Sequence, residues 1–191
     1  IVVDPRETEP ARNADTHLQI NPGTDIPLVN AMMRHILDAR IENRGFIETR
    51  TEGFPELLEH INSRSIEDLS RQCGIPPEDI CRVAGIYARA PEACIVYCMG
   101  ITQHACGTAN VYALCNLAML CGHIGKPHSG VCPLRGQNNV QGACDVGTLP
   151  NVYPGYQSVS DGGILDKFSR AWGRDLSPRP GRTVTEIIGS A

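Results

Sequence analysis

The chain has 191 residues, of which 41% are hydrophobic, and its formal net charge is -4. This apolar content is sufficient for a packed core and argues against intrinsic disorder. The sequence contains neither a basic run nor an apolar stretch of the roughly 18–20 residues that a membrane helix needs. We therefore expect no nucleic-acid surface and no membrane contact.

Nine cysteines occur, an odd number, and most lie in apolar segments where a thiol behaves as a small hydrophobe. No two of them have the C-x-x-C spacing of zinc ribbons and ferredoxin-type clusters. A chain of this size is not a small secreted scaffold, so a disulfide framework is not expected. The composition predicts mostly free thiols in a reducing cytoplasm.

The chain begins with Ile1-Val2-Val3, a β-branched run that predicts a buried strand ending at Asp4. Since the sequence starts inside this strand, without Met or a basic leader, we expect an internal piece of a longer protein and no signal peptide. Residues 16–20 predict a second short strand.

Helix signals dominate the next hundred residues. A helix is predicted from Thr24 or Asp25, which are expected to cap it, to about Asn43 and Gly45. Further helices are predicted at Phe54–Ile61, from Ser65 (as a capping box) to Gly74, from Pro76 onward, and at Asn110–Cys121, where Gly122 is the expected C′ residue. Ala93–Tyr97 reads as a core strand, and Met99–Gly107 as a loop. Alternating strands and helices predict an α/β layered fold with a largely parallel sheet.

The segment from Gly122 to Tyr156 has another character. It is rich in Gly, Pro, Asn and Gln, is poor in charge, and shows almost no helical period. Loops of this length are functional or disordered, and the low charge does not suit a solvated linker. A charged helix is predicted at about Gly163–Trp172, and another element at Thr183–Ile188.

Several residues before this segment are weaker site candidates. Asp4 follows a strand end, where α/β folds bind ligands, although Asp is equally common there as a turn residue. Arg6 suits a phosphate or a base, or a surface ion pair. The Gly100–Gln103 segment follows a strand and precedes a helix, which suits close approach to a ligand, but G-x-G-x-x-G is absent. His104 is expected to be a hydrogen-bonding loop residue.

A metal interpretation of the cysteines and histidines is also weak. His123 and His128 stand between Cys121 and Cys132, but this order matches no common zinc module. Cys132 and Cys144 are possible ligands or nucleophiles, yet no adjacent residue would strongly lower their pKa.

The strongest signal is the block from Val131 to Asp145. A single cation, Arg135, stands among amide side chains, thiols and two glycines. Amides supply donors and acceptors that suit heteroaromatic ring edges and phosphates. The planar guanidinium suits a small carboxylate.

At this block the chain resembles molybdopterin-dependent formate dehydrogenases, catalytic (alpha) subunit. The similarity is carried by Arg-Gly-Gln-Asn-Asn-Val-Gln-Gly from Arg135, which continues through Ala-Cys-Asp-Val-Gly-Thr-Leu-Pro to Tyr153-Pro-Gly-Tyr. Further matches are Asp4-Pro-Arg, Thr51-Glu-Gly-Phe, Met99-Gly-Ile-Thr-Gln, Asn116-Leu-Ala-Met-Leu and Ala171-Trp-Gly.

The resemblance implies a fold and a cofactor. The family's subunit has four domains around molybdenum or tungsten, which is held by two molybdopterin guanine dinucleotides. Residues 1–137 would form most of its Rossmann-like domain, and residues 138–191 a returning segment of the neighbouring α/β domain. The metal-ligating Cys or selenocysteine, its adjacent His and a 4Fe-4S cluster would lie upstream, so no residue of this chain is expected to bind metal.

The resemblance also assigns site residues. Arg135 matches the arginine that orients formate beside the metal during oxidation to CO2, and Gln137 matches a residue near a pterin. The remaining matches are the cofactor-contacting loop at Met99, Ile101 and Gln103, and a guanosine pocket at Asp4, Arg6, Gly23 and Asp25. Implied partners are formate, other domains of the same subunit and electron-transfer subunits.

Three alternatives stay open at the level of sequence. A nitrate reductase-like or formylmethanofuran dehydrogenase-like enzyme would keep the cofactor and change the substrate, which the Arg135 block disfavours. A non-catalytic electron-transfer subunit would have lost the metal, whereas Arg135 and the amides are retained. An ordinary nucleotide-binding α/β domain does not explain the uncharged segment from Gly122 to Tyr156.

Overall fold

The structure, a computed structural model, describes residues 1–190 and divides the chain after Leu134. Unit 1 runs from Ile1 to Leu134, and unit 2 begins at Arg135. The sequence predicted a boundary three residues later, after Gln137. With the observed boundary, Arg135 and Gln137 both belong to unit 2. That unit 2 is a returning segment of a neighbouring domain remains a prediction.

Short parallel strand pairs and helices make up unit 1. Its elements are β1 (Val2–Val3), α1 (Glu9–Arg12), β2 (His17–Leu18), α2 (Asp25–Asp38), α3 (Arg44–Arg50), α4 (Phe54–Asn62), α5 (Ile66–Cys73), α6 (Pro77–Arg89), β3 (Cys94–Tyr97), α7 (Met99–Thr102), α8 (Gly107–Leu120) and β4 (Gly130–Pro133). β1 pairs with β2, and β3 with β4, both in parallel. The predicted α/β class is confirmed, with the strands of residues 1–190 arranged in pairs.

Helix α2 is the centre of the unit 1 core. It packs against α5, α6 and α8, and its Met33 and Ile36 are almost completely buried. Burial of such a side chain contributes about 1.5–3 kcal/mol. The apolar spacing that predicted this helix from sequence is therefore the spacing that fills the core.

The helix ends follow local capping chemistry. Ser65 accepts a hydrogen bond from the backbone N–H of Asp68 at 3.1 Å, and α5 ends at Gly74 in the left-handed conformation, as predicted. The predicted capping box is only half formed, because the Asp68 carboxylate makes no return hydrogen bond to the backbone N–H of Ser65. Thr24 was predicted to accept a hydrogen bond from a backbone N–H of α2, and this prediction is wrong. The Thr24 hydroxyl instead donates to the Asn21 carbonyl at 2.6 Å. The predicted long helix is also wrong: α2 ends at Asp38, and Asn43 caps the separate helix α3 by accepting from Phe46 N–H at 3.0 Å.

Both predicted core strands form, but neither is fully buried. Val3 is 44% exposed and Val96 is 57% exposed. In the β3–β4 pair, Ile95, Tyr97 and Val131 pack on the core while the opposite face is open. β-branched composition predicted the strands correctly, but it does not distinguish a buried face from one that is open in residues 1–190.

Unit 2 has a smaller core. Its elements are α9 (Val140–Asp145), β5 (Val152–Tyr153), β6 (Gln157–Ser158), α10 (Gly162–Trp172) and α11 (Val184–Gly189). β5 and β6 are antiparallel, and Tyr153 stacks on Phe168 with ring centroids 4.7 Å apart. Among residues 1–190, no helix combines the length and apolar character needed to cross a bilayer.

Candidate functional site

Arg135 is an exposed and unpaired cation at the start of unit 2. Its guanidinium forms no ion pair within residues 1–190. An arginine without an internal partner keeps its planar fork available to a carboxylate or phosphate. The structure therefore leaves this side chain free for a ligand.

Arg135 shares its surroundings with Tyr156 and Asp145. The pKa of Tyr156 is raised, chiefly by the interaction of its hydroxyl with the Asp145 carboxylate, and the charges of Asp145 and Cys144 add to this effect. The positive charge of Arg135 acts in the opposite direction, which places it within electrostatic range of the phenol. Sequence reasoning did not single out Tyr156 or Asp145 as site residues, because their proximity depends on how residues 145–156 fold back.

The fold-back is fixed by close backbone contacts. The N–H of Gly155 donates to the Asp145 carbonyl at 2.8 Å. Gly147 has a φ of +86°, and a Cβ there would lie 2.7 Å from the backbone nitrogen of Pro154. Tyr156 itself has a φ of +58°, which is uncommon for a non-glycine residue. The backbone at Tyr156 is thus held in place by a tightly packed turn, while its side chain is 51% exposed.

The amide-rich block forms the short helix α9 and the chain leading into it. Gln137, Asn138, Asn139 and Gln141 are exposed and make no side-chain hydrogen bond within residues 1–190. Asn139 has a φ of +52°, and its side chain lies against Gly142, where a Cβ would have to displace the Asn139 amide. These amide groups are accessible donors and acceptors for a polar ligand.

The predicted loop at Met99–Gly107 contains the short helix α7 directly after β3. Met99 is 50% exposed and Gln103 is exposed, whereas Ile101 packs partly against the core. The Ile101 carbonyl also accepts from Asn110 Nδ2 at 2.9 Å. Met99 and Gln103 are therefore open to a ligand, and Ile101 anchors the turn between them.

Two close contacts hold this turn in place. His104 Nε2 lies 2.8 Å from the Gly100 carbonyl oxygen, which confirms the predicted hydrogen-bonding role of His104. A Cβ on Gly107 would overlap the Thr102 carbonyl oxygen, while one on Gly100 would meet nothing within 4 Å. The space beside Gly100 lets a ligand approach the backbone closely. The contact between Gly107 and Thr102 fixes the end of the same turn.

The four residues of the predicted guanosine pocket lie after the carboxyl ends of β1 and β2. Asp4 Oδ1 accepts from the backbone N–H of Arg6 at 2.8 Å, and the Arg6 guanidinium is without an ion-pair partner in residues 1–190. Gly23 has a φ of +78° with open space beside it, and Asp25 is the first residue of α2. Because parallel strands end at the same edge, both loops emerge on one side of the β1–β2 pair.

His123 and Cys121, two of the residues considered as zinc ligands, are buried in the fold. His123 is buried, and its Nε2 lies 3.0 Å from the Tyr87 carbonyl oxygen. Burial lowers the pKa of His123 and raises that of Cys121 to about 12. Residues 1–190 contain no cluster of three or more His, Cys, Asp or Glu side chains able to hold a metal ion.

Comparison with known proteins identifies the family. Residues 1–188 match molybdopterin oxidoreductases, and the chain belongs to this family. It is 52% identical over 188 residues to the F420-dependent formate dehydrogenase subunit alpha of Methanocaldococcus jannaschii, covering 98% of the chain. It is 44% identical over 191 residues to formate dehydrogenase H of Escherichia coli, again over 98% of the chain. The chain spans only 28% and 26% of the lengths of these two relatives.

A solved structure agrees with the family assignment. Acetylene hydratase from Pelobacter acetylenicus superposes with a TM-score of 0.63 at 25% sequence identity, covering 66% of this chain and 17% of that protein. Family membership implies a molybdopterin cofactor. Taken separately, each unit has groups of the kind that suit such a cofactor. Unit 1 offers open space at Gly23 and Gly100 and the guanidinium of Arg6 for phosphates, and unit 2 offers the exposed amides after Arg135 for ring edges.

Proposed function

We propose that this chain is part of the catalytic subunit of a molybdopterin-dependent formate dehydrogenase, which oxidises formate to CO2. Support comes from its 52% and 44% identity to formate dehydrogenase subunits and from the chemistry of the block after Arg135. The observation that carries the proposal is the exposed guanidinium of Arg135, which has no internal ion pair and is followed by unpaired amides.

Arg135 is proposed to bind and orient the substrate. Formate is a one-carbon carboxylate, and the guanidinium fork can donate to both of its oxygens. Such a grip fixes the direction of the C–H bond, and orientation of this kind can supply roughly 7–11 kcal/mol of a barrier. Tyr156 and Asp145 are proposed to be neighbours of this guanidinium, since the positive charge of Arg135 is among the influences on the pKa of Tyr156.

The remaining site residues are proposed to hold the cofactor. Gln137, Met99 and Gln103 would contact the pterin portion, with Ile101 supporting their loop. Asp4, Arg6, Gly23 and Asp25 would hold a guanosine end, with carboxylates for hydroxyl and amino groups and Arg6 for a phosphate or base. When bound as the bis-molybdopterin guanine dinucleotide, the group would supply a molybdenum or tungsten centre that accepts two electrons from formate.

Upstream and partner features follow from the same proposal. A 4Fe-4S cluster in a preceding part of the protein and separate electron-transfer subunits would carry the electrons away, in a cytoplasmic enzyme of anaerobic metabolism. The cysteines of this chain are proposed to take no part in binding the metal, because the metal-ligating Cys or selenocysteine would lie upstream.

Arg135→Lys in the full-length protein tests the proposal. Lysine keeps the charge but loses the fork, and a misplacement of about 1 Å costs on the order of 100-fold in rate. We expect kcat/KM for formate to fall by about this factor with metal and pterin content unchanged. Arg174→Lys is the matched control, because Arg174 is also an exposed and unpaired arginine of unit 2. Full activity of Arg135→Lys would refute the role, as would an equal loss of cofactor.

A further inference from the structure

Strands β3 and β4 bring two cysteines into contact. In their parallel register, Val96 lies opposite Cys132, and Cys94 precedes Val96 by two positions. Side chains two positions apart share a face of a strand, so both thiols lie on the same face of the pair. Their Sγ atoms are 3.6 Å apart.

This face is open in the described part of the chain. Cys94 is exposed, Cys132 is half-buried, and the neighbouring Val96 is 57% exposed. The opposite face, with Ile95 and Val131, packs on the core. The paired thiols are therefore on the side of the strands that a small reagent can reach.

We propose that Cys94 and Cys132 form a reversible disulfide, making this face of the β3–β4 pair a site of thiol modification. The sulfur atoms need to approach from 3.6 Å to about 2.05 Å. Because Cys94 lies opposite Gly130 and diagonal to Cys132, closing this gap requires a shift of the two strands as well as rotation of the side chains.

The oxidant is a small-molecule disulfide such as oxidised glutathione. One thiol loses its proton and its sulfur attacks the reagent, forming a mixed disulfide and releasing one reduced reagent thiol. The second protein thiol then attacks, forming the Cys94–Cys132 bond and releasing the second reagent thiol. Two electrons and two protons pass from the protein to the reagent, so the exchange is balanced and is reversed by excess thiol.

Other cysteines of the chain are in different surroundings. Cys73 and Cys121 are buried, and burial raises the pKa of both thiols. The pKa of Cys94 is raised mainly by its hydrogen bond to Cys132, so under reducing conditions the pair rests as thiols. Exposed disulfides are in general the labile and regulatory ones, which fits a pair that opens and closes.

The position of the pair connects it to the site. β3 runs directly into Met99–Gln103, and Cys132 lies three residues before Arg135 in the sequence. A disulfide between β3 and β4 would fix the carboxyl ends of both strands, after which Met99–Gln103 and Arg135 follow in the chain. This consequence rests on the proposed function, whereas formation of the disulfide does not.

The test uses the full-length protein, first reduced and then exposed to oxidised glutathione. Remaining thiols are blocked with iodoacetamide, and peptides are analysed without reduction by mass spectrometry. We expect a linked peptide containing Cys94 and Cys132, loss of both thiols from the alkylated fraction, and full recovery after dithiothreitol. Cys98→Ser is the matched control, because it removes a nearby thiol and should leave the linkage intact.

Any of three results would overturn the proposal. One is alkylation of both Cys94 and Cys132 after oxidation. Another is a persistent glutathione adduct on Cys94 while Cys132 stays a free thiol. The third is a linkage of Cys94 to Cys98 instead of Cys132. Since these readouts do not involve turnover, a protein that forms the disulfide but fails to oxidise formate would refute only the proposed function.

Discussion

Gly107→Ala should loosen the turn that carries Met99 and Gln103. Gly107 is buried at the first position of α8, and a Cβ there would overlap the carbonyl oxygen of Thr102. To reach ordinary contact, the two groups must separate by roughly 1.5 Å, since the attraction between non-bonded atoms is optimal only near 3.5–4.0 Å. Because the obstacle is backbone, the whole turn from Met99 to Gln103 has to move.

The expected cost is that of overpacking, about 1–3 kcal/mol. Hydrogen exchange of the full-length protein measures this locally, since an opening equilibrium of this size changes exchange by about 5- to 150-fold. We expect faster exchange in peptides that contain the amides of Gln103, Gly107 and Asn110, which donate to Met99, His104 and Cys106.

Gly45→Ala is the matched control. Gly45 lies within α3, and a Cβ there would meet its nearest atom, Asn43 Oδ1, at 3.9 Å. Alanine in a helix is more favourable than glycine, so protection of this helix should hold or increase. Wild-type exchange at residues 99–110 in Gly107→Ala would refute the argument that this glycine positions the turn.

Three further predictions follow from the titrating groups. Asp145→Asn should lower the pKa of Tyr156, because it removes the negative charge beside the phenol, and Arg135→Ala should raise it, because it removes a positive charge. A titration followed by tyrosine absorbance, with Tyr156→Phe as the blank, shows whether the two shifts have opposite signs. Cys132→Ala should speed alkylation of Cys94 near pH 8, since the hydrogen bond that chiefly raises the pKa of Cys94 is lost, and an unchanged rate would contradict that cause. Cys121, with a pKa of about 12, should resist iodoacetamide at pH 8 until the protein is unfolded, and peptide mapping would reveal early modification.

Sequence patterns predicted the elements whose signals are local. The helix from Ser65 to Gly74 was marked at both ends, by a capping hydroxyl and a left-handed glycine, and it forms as expected. Sequence patterns do not predict helix α3, because Gly45 indicates the end of a helix although Asn43 caps a new helix just before it. The exposure of Val3 and Val96 was also missed, since composition does not report which face of a strand is covered.

The site was predictable only in part. Arg135 and the amides stand in one short block, so their chemistry could be read without a structure. The relation of Arg135 to Tyr156 and Asp145 depends on the turn that Gly147 and Gly155 permit, and the contact of Cys94 with Cys132 depends on strand register. Such contacts join residues far apart in sequence and have no local signal.

The most direct measurement is turnover of the full-length protein with formate and, separately, with nitrate. The account predicts formate-dependent reduction of an artificial electron acceptor with release of CO2, by protein that contains a molybdopterin. Reduction of nitrate without oxidation of formate, or the absence of a molybdopterin from the purified protein, would contradict it.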